Sequence, residues 1–143
     1  MVSIFPYWEQ VATLEDAYSV FRSHFGQVFT STLPYGKDIW LGGTGWPSND
    51  ANVADRNPNN VASPENAKQY FDTIGCQVLN GNGSGFYHVD RDQHATASAR
   101  PQFGLLDVAG NVLNGIDTTC AAFSPQPDPP IWLPKFAGGP TGL

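Results

Sequence analysis

The sequence predicts an α/β fold in which parallel strands alternate with helices. Two observations lead to this prediction: apolar strand-like segments recur along the chain, and each of the first two is followed by a segment with helical periodicity. Such alternation implies a parallel sheet with crossover helices. The chain has 143 residues, whereas a closed (β/α)8 barrel needs about 250. The pattern therefore predicts either a small open α/β domain or a partial barrel of about three βα units.

The first unit begins with an apolar strand at residues 2–5, which ends at Pro6. Thr13 is a hydroxyl N-cap, and Glu15 and Asp16 suit the positive end of the helix dipole that follows. The helix has apolar residues at helical spacing: Leu14, Ala17, Val20, Phe21, Phe25 and Val28. Residues 30–36 are predicted to form a loop.

The second unit has a strand at residues 38–41, a glycine-rich turn and a polar loop up to residue 62. Ser63 and Pro64 predict the next helix start, as N-cap and first helical residue. Its predicted buried face consists of Ala67, Tyr70, Phe71, Ile74 and Val78. A third strand is predicted at residues 85–89, followed by a polar loop at 90–102. Residues 121–143 are rich in proline and predict an extended tail after a domain at residues 1–120.

Charge, hydropathy and composition limit the functions that the chain can have. The net charge is −6 and the seven Lys and Arg are scattered, so a nucleic-acid partner is not expected. No apolar run reaches the roughly 20 residues that span a bilayer. The N-terminus lacks the pattern of a secretion signal, so any signal is absent from this chain. Neutral polar residues dominate the polar composition, which favours an extracellular protein that contacts sugars. No cofactor is expected.

The two cysteines are Cys76 and Cys120. In a secreted protein such a pair indicates one disulfide, whereas in the cytosol both thiols would stay reduced. Asn82-Gly83-Ser84 is a glycosylation sequon in a turn rich in Gly and Asn, with Asn82 as the acceptor. The sequon adds to the indications of an extracellular protein.

Four ordered motifs indicate a family. They are Phe5-Pro6-Tyr7-Trp8; Trp40-Leu41-Gly42-Gly43-Thr44-Gly45-Trp46-Pro47; Ser63-Pro64-Glu65-Asn66-Ala67-Lys68 with Tyr70-Phe71; and Phe86-Tyr87-His88-Val89-Asp90-Arg91-Asp92 with Phe103-Gly104-Leu105-Leu106-Asp107. In this order they resemble barrel strands six to eight of fungal members of glycoside hydrolase family 17, the β-1,3-glucanases. The resemblance covers roughly residues 3–120. It implies the C-terminal part of a (β/α)8 TIM barrel, β-1,3-glucan as partner, and a secreted or cell-wall location.

The resemblance places no intact catalytic residue in this chain. Gly43 occupies the position of the nucleophilic glutamate, and the general acid/base glutamate of the family lies on an earlier strand. Retaining glycosidases need two carboxyl groups roughly 5–5.5 Å apart. We therefore expect the chain alone not to cleave glucan. The alternative is a non-catalytic β-glucan-binding or cell-wall structural protein.

The resemblance also implies a substrate-binding set. It consists of Tyr7, Trp8, Trp46, Tyr87 and Asp90. Asp90 matches the family pattern, whereas Tyr87 stands where an acidic residue is common. Aromatic faces can stack on sugar rings, but the same residues can instead fill the core.

A third hypothesis is an unrelated α/β domain that binds a metal ion. Polar residues that alternate after the predicted third strand could coordinate zinc: His88, Asp90, Asp92 and His94. Such runs are more often solvated or bind sugar hydroxyls, so no metal site is predicted.

Three barrel strands leave sheet edges unpaired. This predicts self-association or association with a missing N-terminal half of the barrel.

Overall fold

The computed structural model describes residues 1–9, 13–36, 39–49, 58–80, 101–107, 109–113 and 115–121. These residues contain β1 (Val2–Ser3), α1 (Leu14–Thr32), β2 (Leu41–Gly43), α2 (Pro64–Tyr70) and α3 (Cys76–Asn80). Short 3-10 segments at Pro6–Trp8 and Leu33–Tyr35 follow β1 and α1, and a π-helical segment at Phe71–Gly75 joins α2 to α3. The predicted order of strand, helix, strand and helix is confirmed. The predicted third strand, and all but the first residue of the tail, lie outside the described residues.

The two strands pair in parallel, with Val2 opposite Leu41 and Ser3 opposite Gly43. The backbone N–H of Val2 donates to the Trp40 carbonyl at 2.8 Å, and that of Ile4 donates to the Gly43 carbonyl at 3.0 Å. Because α1 connects them, the two strands and the helix form a βαβ unit. The carboxyl ends of both strands therefore lie at the same edge of the sheet.

The second strand begins later than the sequence predicts. The strand expected at residues 38–41 runs instead over Leu41–Gly43, and the glycine-rich turn starts after it. The glycines stay in the strand because the backbone bonds to β1 extend to Gly43. A Cβ atom on Gly42 would lie 2.5 Å from Met1 Cγ. Glycine therefore leaves room for the N-terminal residue against β2.

Helix α1 begins as predicted, with a reciprocal capping box. Thr13 Oγ1 accepts from the Asp16 N–H at 3.3 Å, and Asp16 Oδ2 accepts from the Thr13 N–H at 3.0 Å. Each bond satisfies a backbone donor that the first turn leaves free. On the predicted apolar face Ala17, Phe21 and Phe25 are buried. Leu14 and Val20 pack on them in part, and Val28 is partly exposed.

The prediction of a loop at residues 30–36 is wrong. Helix α1 extends to Thr32, and a 3-10 turn continues it to Tyr35. The hydroxyls of Thr30, Ser31 and Thr32 donate to backbone carbonyls one turn earlier, at 2.8–3.0 Å, so these side chains are compatible with a helical last turn. Gly36, in the left-handed region at φ +57°, ends the segment.

The second helical segment also starts as predicted. Ser63 Oγ accepts from the Asn66 N–H at 3.1 Å, and Pro64 is the first helical residue. Its apolar face is buried as expected, at Ala67, Tyr70, Phe71, Ile74 and Val78. A Cβ atom on Gly75 would lie 2.7 Å from Cδ2 of the Phe71 ring. Glycine therefore allows that ring to pack against the π-helical segment.

The core lies between the βαβ unit and the second helical segment. Its buried members are Ile4, Tyr7, Ala17, Phe21, Phe25, Leu41, Trp46, Tyr70, Ile74 and Val78. A smaller cluster surrounds the disulfide and contains Phe71, Cys76, Ile116 and Cys120. Cys76 and Cys120 are bonded, with Cα atoms 5.5 Å apart, which confirms the expected pairing. The disulfide ties the start of α3 to residues 115–121.

Candidate functional site

The carboxyl ends of β1 and β2 form the candidate site. The turn Pro6–Trp8 follows β1, and residues 44–47, all buried, follow β2. Parallel α/β folds bind their ligands at this edge. We call Tyr7, Trp8, Gly43, Thr44, Trp46 and Asn60 the strand-end site.

Gly43 is the last residue of β2 and is buried. Its carbonyl accepts the Ile4 N–H, so its backbone belongs to the sheet. Glycine offers neither a nucleophile nor a charge that could stabilise an oxocarbenium ion. The position to which the family resemblance assigns the nucleophile is therefore occupied by backbone alone.

Tyr7 and Trp46 lie deep in the strand-end site, at 0% and 1% exposure. Their ring centroids are 5.2 Å apart and the planes cross at 81°. The Trp46 Nε1–H donates to the Val61 carbonyl at 2.9 Å, and the indole packs on Tyr70 at 5.7 Å. This burial agrees with the alternative expectation that both rings fill the core. Direct contact of either ring with a sugar stays a prediction.

Trp8 is the exposed aromatic residue of the strand-end site. Its residue surface is 47% accessible. The ring stands edge-to-face on Tyr7 at 4.9 Å and 77°, and its centroid is 6.3 Å from that of Phe103. One part of the indole is thus supported by the buried Tyr7 ring and the partly buried Phe103 ring, while the rest faces solvent. An exposed aromatic surface that packs on other rings is suited to stacking on an apolar sugar face.

Two buried polar side chains of the strand-end site, Thr44 and Asn60, make three hydrogen bonds to neighbouring segments. Thr44 Oγ1 and the Tyr70 hydroxyl share a buried hydrogen bond, which joins the end of β2 to α2. The Asn60 side chain donates from Nδ2 to the Tyr7 and Glu9 carbonyls at 2.6 and 3.0 Å. Sequence reasoning missed Asn60, because it stands in a polar loop among several other asparagines and matches no quoted motif.

Three carboxylates, those of Glu9, Asp107 and Asp117, interact with neighbouring side chains. Glu9 Oε1 lies 3.8 Å from His24 Nδ1, and both side chains are more than 40% exposed. The pair therefore contributes little to stability. The side-chain hydrogen bond from Asn111 is the main cause that lowers the pKa of Asp107. The hydroxyl of Thr119 is the main cause that lowers the pKa of Asp117. A glycosidase general acid needs a raised pKa, so Asp107 and Asp117 do not fit that role.

Several predicted site residues lie outside the described part of the chain. They are Tyr87 and Asp90 of the substrate-binding set, the sequon at Asn82, and the metal candidates His88, Asp92 and His94. Within the described ranges, no group of three His, Cys, Asp or Glu is placed to hold a metal ion. No helix among those same residues is long and apolar enough to cross a membrane.

The fold defines the class as an α/β protein with parallel strands. A parallel βαβ unit is the repeating element both of α/β barrels and of open parallel sheets, and similarity to known proteins distinguishes the two. No protein-family model matches the sequence. The chain is 31% identical over 117 residues to a protein of Emericella nidulans named as a probable glucan endo-1,3-beta-glucosidase. That match covers 78% of this chain and 23% of the relative.

Solved structures lead to the same family. The chain is similar to a glycoside hydrolase family 17 β-1,3-glucanosyltransferase from Rhizomucor miehei, with a TM-score of 0.66 and 32% identity. The similarity covers 80% of this chain and 41% of that protein. An active-site mutant of the Rhizomucor enzyme, solved with laminaritriose, is 33% identical over the same shares. The resemblance to glycoside hydrolase family 17 is therefore confirmed, over part of the length of its members.

Proposed function

We propose that this chain forms part of a family-17 barrel that binds β-1,3-glucan and that, by itself, does not cleave it. The observation that carries the second half of the proposal is Gly43. The residue ends β2 at the position that the resemblance assigns to the nucleophile, and it has no carboxylate. Cleavage with retention needs a nucleophile and a general acid/base together. A chain without the nucleophile lacks one of these two groups, and glucan binding is the function that we propose for it.

Trp8 supports the binding half of the proposal. It lies at the strand end where α/β barrels hold substrates, and 47% of its surface is accessible. The relatives are named for β-1,3-glucan, and one was solved with laminaritriose. We propose that Trp8 stacks on a glucosyl unit and that Tyr7 and Trp46 support it from below. Tyr87 and Asp90 remain proposed contacts of the same ligand.

We propose a matching architecture for the whole chain. The chain would supply about the last three βα units of the barrel, followed by a proline-rich tail at residues 121–143. A secreted or cell-wall protein is supported by the disulfide, because disulfides persist in oxidising compartments. The comparisons lend no support to self-association of this chain.

Two assays on the purified chain test the proposal. Incubation with laminarin should release no reducing sugar above a blank. Binding to insoluble β-1,3-glucan should be measurable and should weaken about tenfold, or about 1.4 kcal/mol, in Trp8→Ala, since truncating an exposed aromatic anchor removes most of its contact area. Trp40→Ala is the matched control, because Trp40 is 46% exposed but precedes β2, at the opposite edge of the sheet.

Each half of the proposal has an outcome that contradicts it. Steady release of glucose or laminari-oligosaccharides by the wild-type chain would show that it is catalytic. Equal glucan binding by Trp8→Ala and wild type, or equal losses in Trp8→Ala and Trp40→Ala, would contradict a ligand surface at the strand end.

A further inference from the structure

The Asn60 side chain connects the loop after β2 to the turn after β1. The residue is 0% exposed, although asparagine is mostly a surface residue in proteins. Both Nδ2 hydrogens are used, on the carbonyls of Tyr7 and Glu9. Asn60 Oδ1 is also buried and has no hydrogen-bond partner among the described residues. The two donated bonds join segments more than 50 positions apart in sequence, so they fix the loop after β2 against the turn after β1.

The two accepting carbonyls lie on either side of Trp8. The backbone N–H groups of Trp8 and Glu9 are already occupied, because they donate to Phe5 and Pro6 within the 3-10 turn. Asn60 then satisfies the carbonyl before Trp8 and the carbonyl after it. Hydrogen bonds therefore hold the backbone on both sides of the exposed indole, and the direction of its Cα–Cβ bond is set by them.

The geometry requires an amide and not merely a polar side chain. A flipped carboxamide would direct Oδ1 at two carbonyl oxygens, and aspartate would do the same with a negative charge. Either arrangement replaces two donor–acceptor contacts by repulsive ones. Aspartate has the same shape as asparagine, so the substitution Asn60→Asp tests the donors with little change in packing.

Asn60 is itself fixed by the residue that follows it. The Val61 carbonyl accepts from Trp46 Nε1 and from Asn66 Nδ2, both at 2.9 Å. These bonds anchor the loop to the end of β2 and to the start of α2.

We propose that Asn60 is a positioning residue, which holds the Trp8 indole in the orientation that stacks on β-1,3-glucan. This inference rests on the proposed function, since it assigns a role in that same ligand site. Asn60 does not touch the ligand itself, because it is fully buried.

A double-mutant cycle with laminaritriose as the probe tests the inference. We expect Asn60→Asp to weaken binding at least about threefold, and Asn60→Asp/Trp8→Ala to bind no more weakly than Trp8→Ala, because coupled neighbours are not additive. The control cycle with Trp40→Ala should be additive. Additivity in the Trp8 cycle, or wild-type affinity in Asn60→Asp, would overturn the inference while leaving the glucan proposal intact.

Fluorine NMR of the chain labelled with 5-fluorotryptophan provides a readout that does not need a ligand. The four tryptophans give four resonances, assigned through Trp→Phe variants. Asn60→Asp should shift or broaden the Trp8 resonance and leave that of Trp40 unchanged. An unmoved Trp8 resonance would overturn the inference. If wild type does not bind laminaritriose, the proposed function fails and this measurement alone decides the role of Asn60.

A measurement on the wild-type chain covers the case in which Asn60→Asp does not fold. Addition of laminaritriose should perturb the Asn60 side-chain amide signals together with the Trp8 indole signal. Perturbation of the indole without any change in the Asn60 amide would contradict the coupling between them.

Discussion

The disulfide provides the most quantitative prediction of stability. Cys76 and Cys120 are 44 positions apart in sequence, and both are buried. Reduction leaves both sulfur atoms in the chain, so the packing around them changes little. The main change is that the unfolded chain is no longer cross-linked and gains conformational entropy. This entropy favours the unfolded state.

The size of the effect follows from the length of the closed loop. For a separation of 44 residues, the loop-closure relation gives about 13 cal/mol/K, or about 4 kcal/mol at 25 °C. With a denaturant slope of about 2 kcal/mol/M, the urea midpoint should fall by about 2 M. The loop estimate is an upper value, because residual structure in the unfolded chain reduces the entropy gain.

The assay is equilibrium unfolding in urea, followed by tryptophan fluorescence, with and without dithiothreitol. Cys76→Ala/Cys120→Ala is the control, since its midpoint should be low and insensitive to the reductant. Cys120 has a φ of +54°, which a side chain with a Cβ atom adopts at a cost of about 1 kcal/mol. Cys76→Ala/Cys120→Gly should therefore recover about that amount. Equal midpoints for oxidised and reduced wild type would refute the loop-entropy reasoning.

Three further predictions concern local contacts. Gly75→Ala should destabilise by about 1–3 kcal/mol, because its Cβ meets a buried ring, whereas Gly26→Ala, which meets nothing within 4 Å, should stabilise by about 0.5–1 kcal/mol; changes of the same sign would contradict this. Thr13→Ala should cost about 1 kcal/mol through loss of the capping box, and an unchanged urea midpoint would refute it. The hydrogen bond from the Thr119 hydroxyl is the main cause that lowers the pKa of Asp117. The ionised Asp117 carboxylate therefore stabilises the fold above its unfolded pKa, and this stabilisation is lost as pH falls through the folded pKa. Urea midpoints between about pH 5 and pH 2.5 should therefore fall less in Asp117→Asn than in wild type, and parallel curves would show that the bond is absent.

Helix starts and helix faces could be predicted from sequence because their causes are local. Thr13 and Ser63 accept backbone N–H groups three residues away, so the required partners are adjacent in the chain. The end of α1 was mispredicted for a related reason. The hydroxyls near Thr32 can bond either to water or to carbonyls of the preceding turn, and composition alone favours neither.

The boundaries of β2 could not be predicted, since they depend on a partner strand about forty residues away. The Trp40 and Gly43 carbonyls accept from the N–H groups of Val2 and Ile4, and this pairing keeps two glycines in a strand where composition indicates a turn. The sequence likewise could not predict which of the aromatic residues Tyr7, Trp8 and Trp46 is exposed to contact a ligand. The sequence cannot distinguish them, because all are aromatic residues close to a strand end.

The sequence alone determined the family resemblance, the βαβ order, the absence of a carboxylate at Gly43 and the pair of cysteines. These properties depend on residue identity and on short-range spacing. The tertiary structure decided that Tyr7 and Trp46 are buried, that Trp8 is exposed and that Asn60 holds the turn around it. These properties depend on which segments pack together, because burial and long-range hydrogen bonds arise only when residues distant in sequence come into contact.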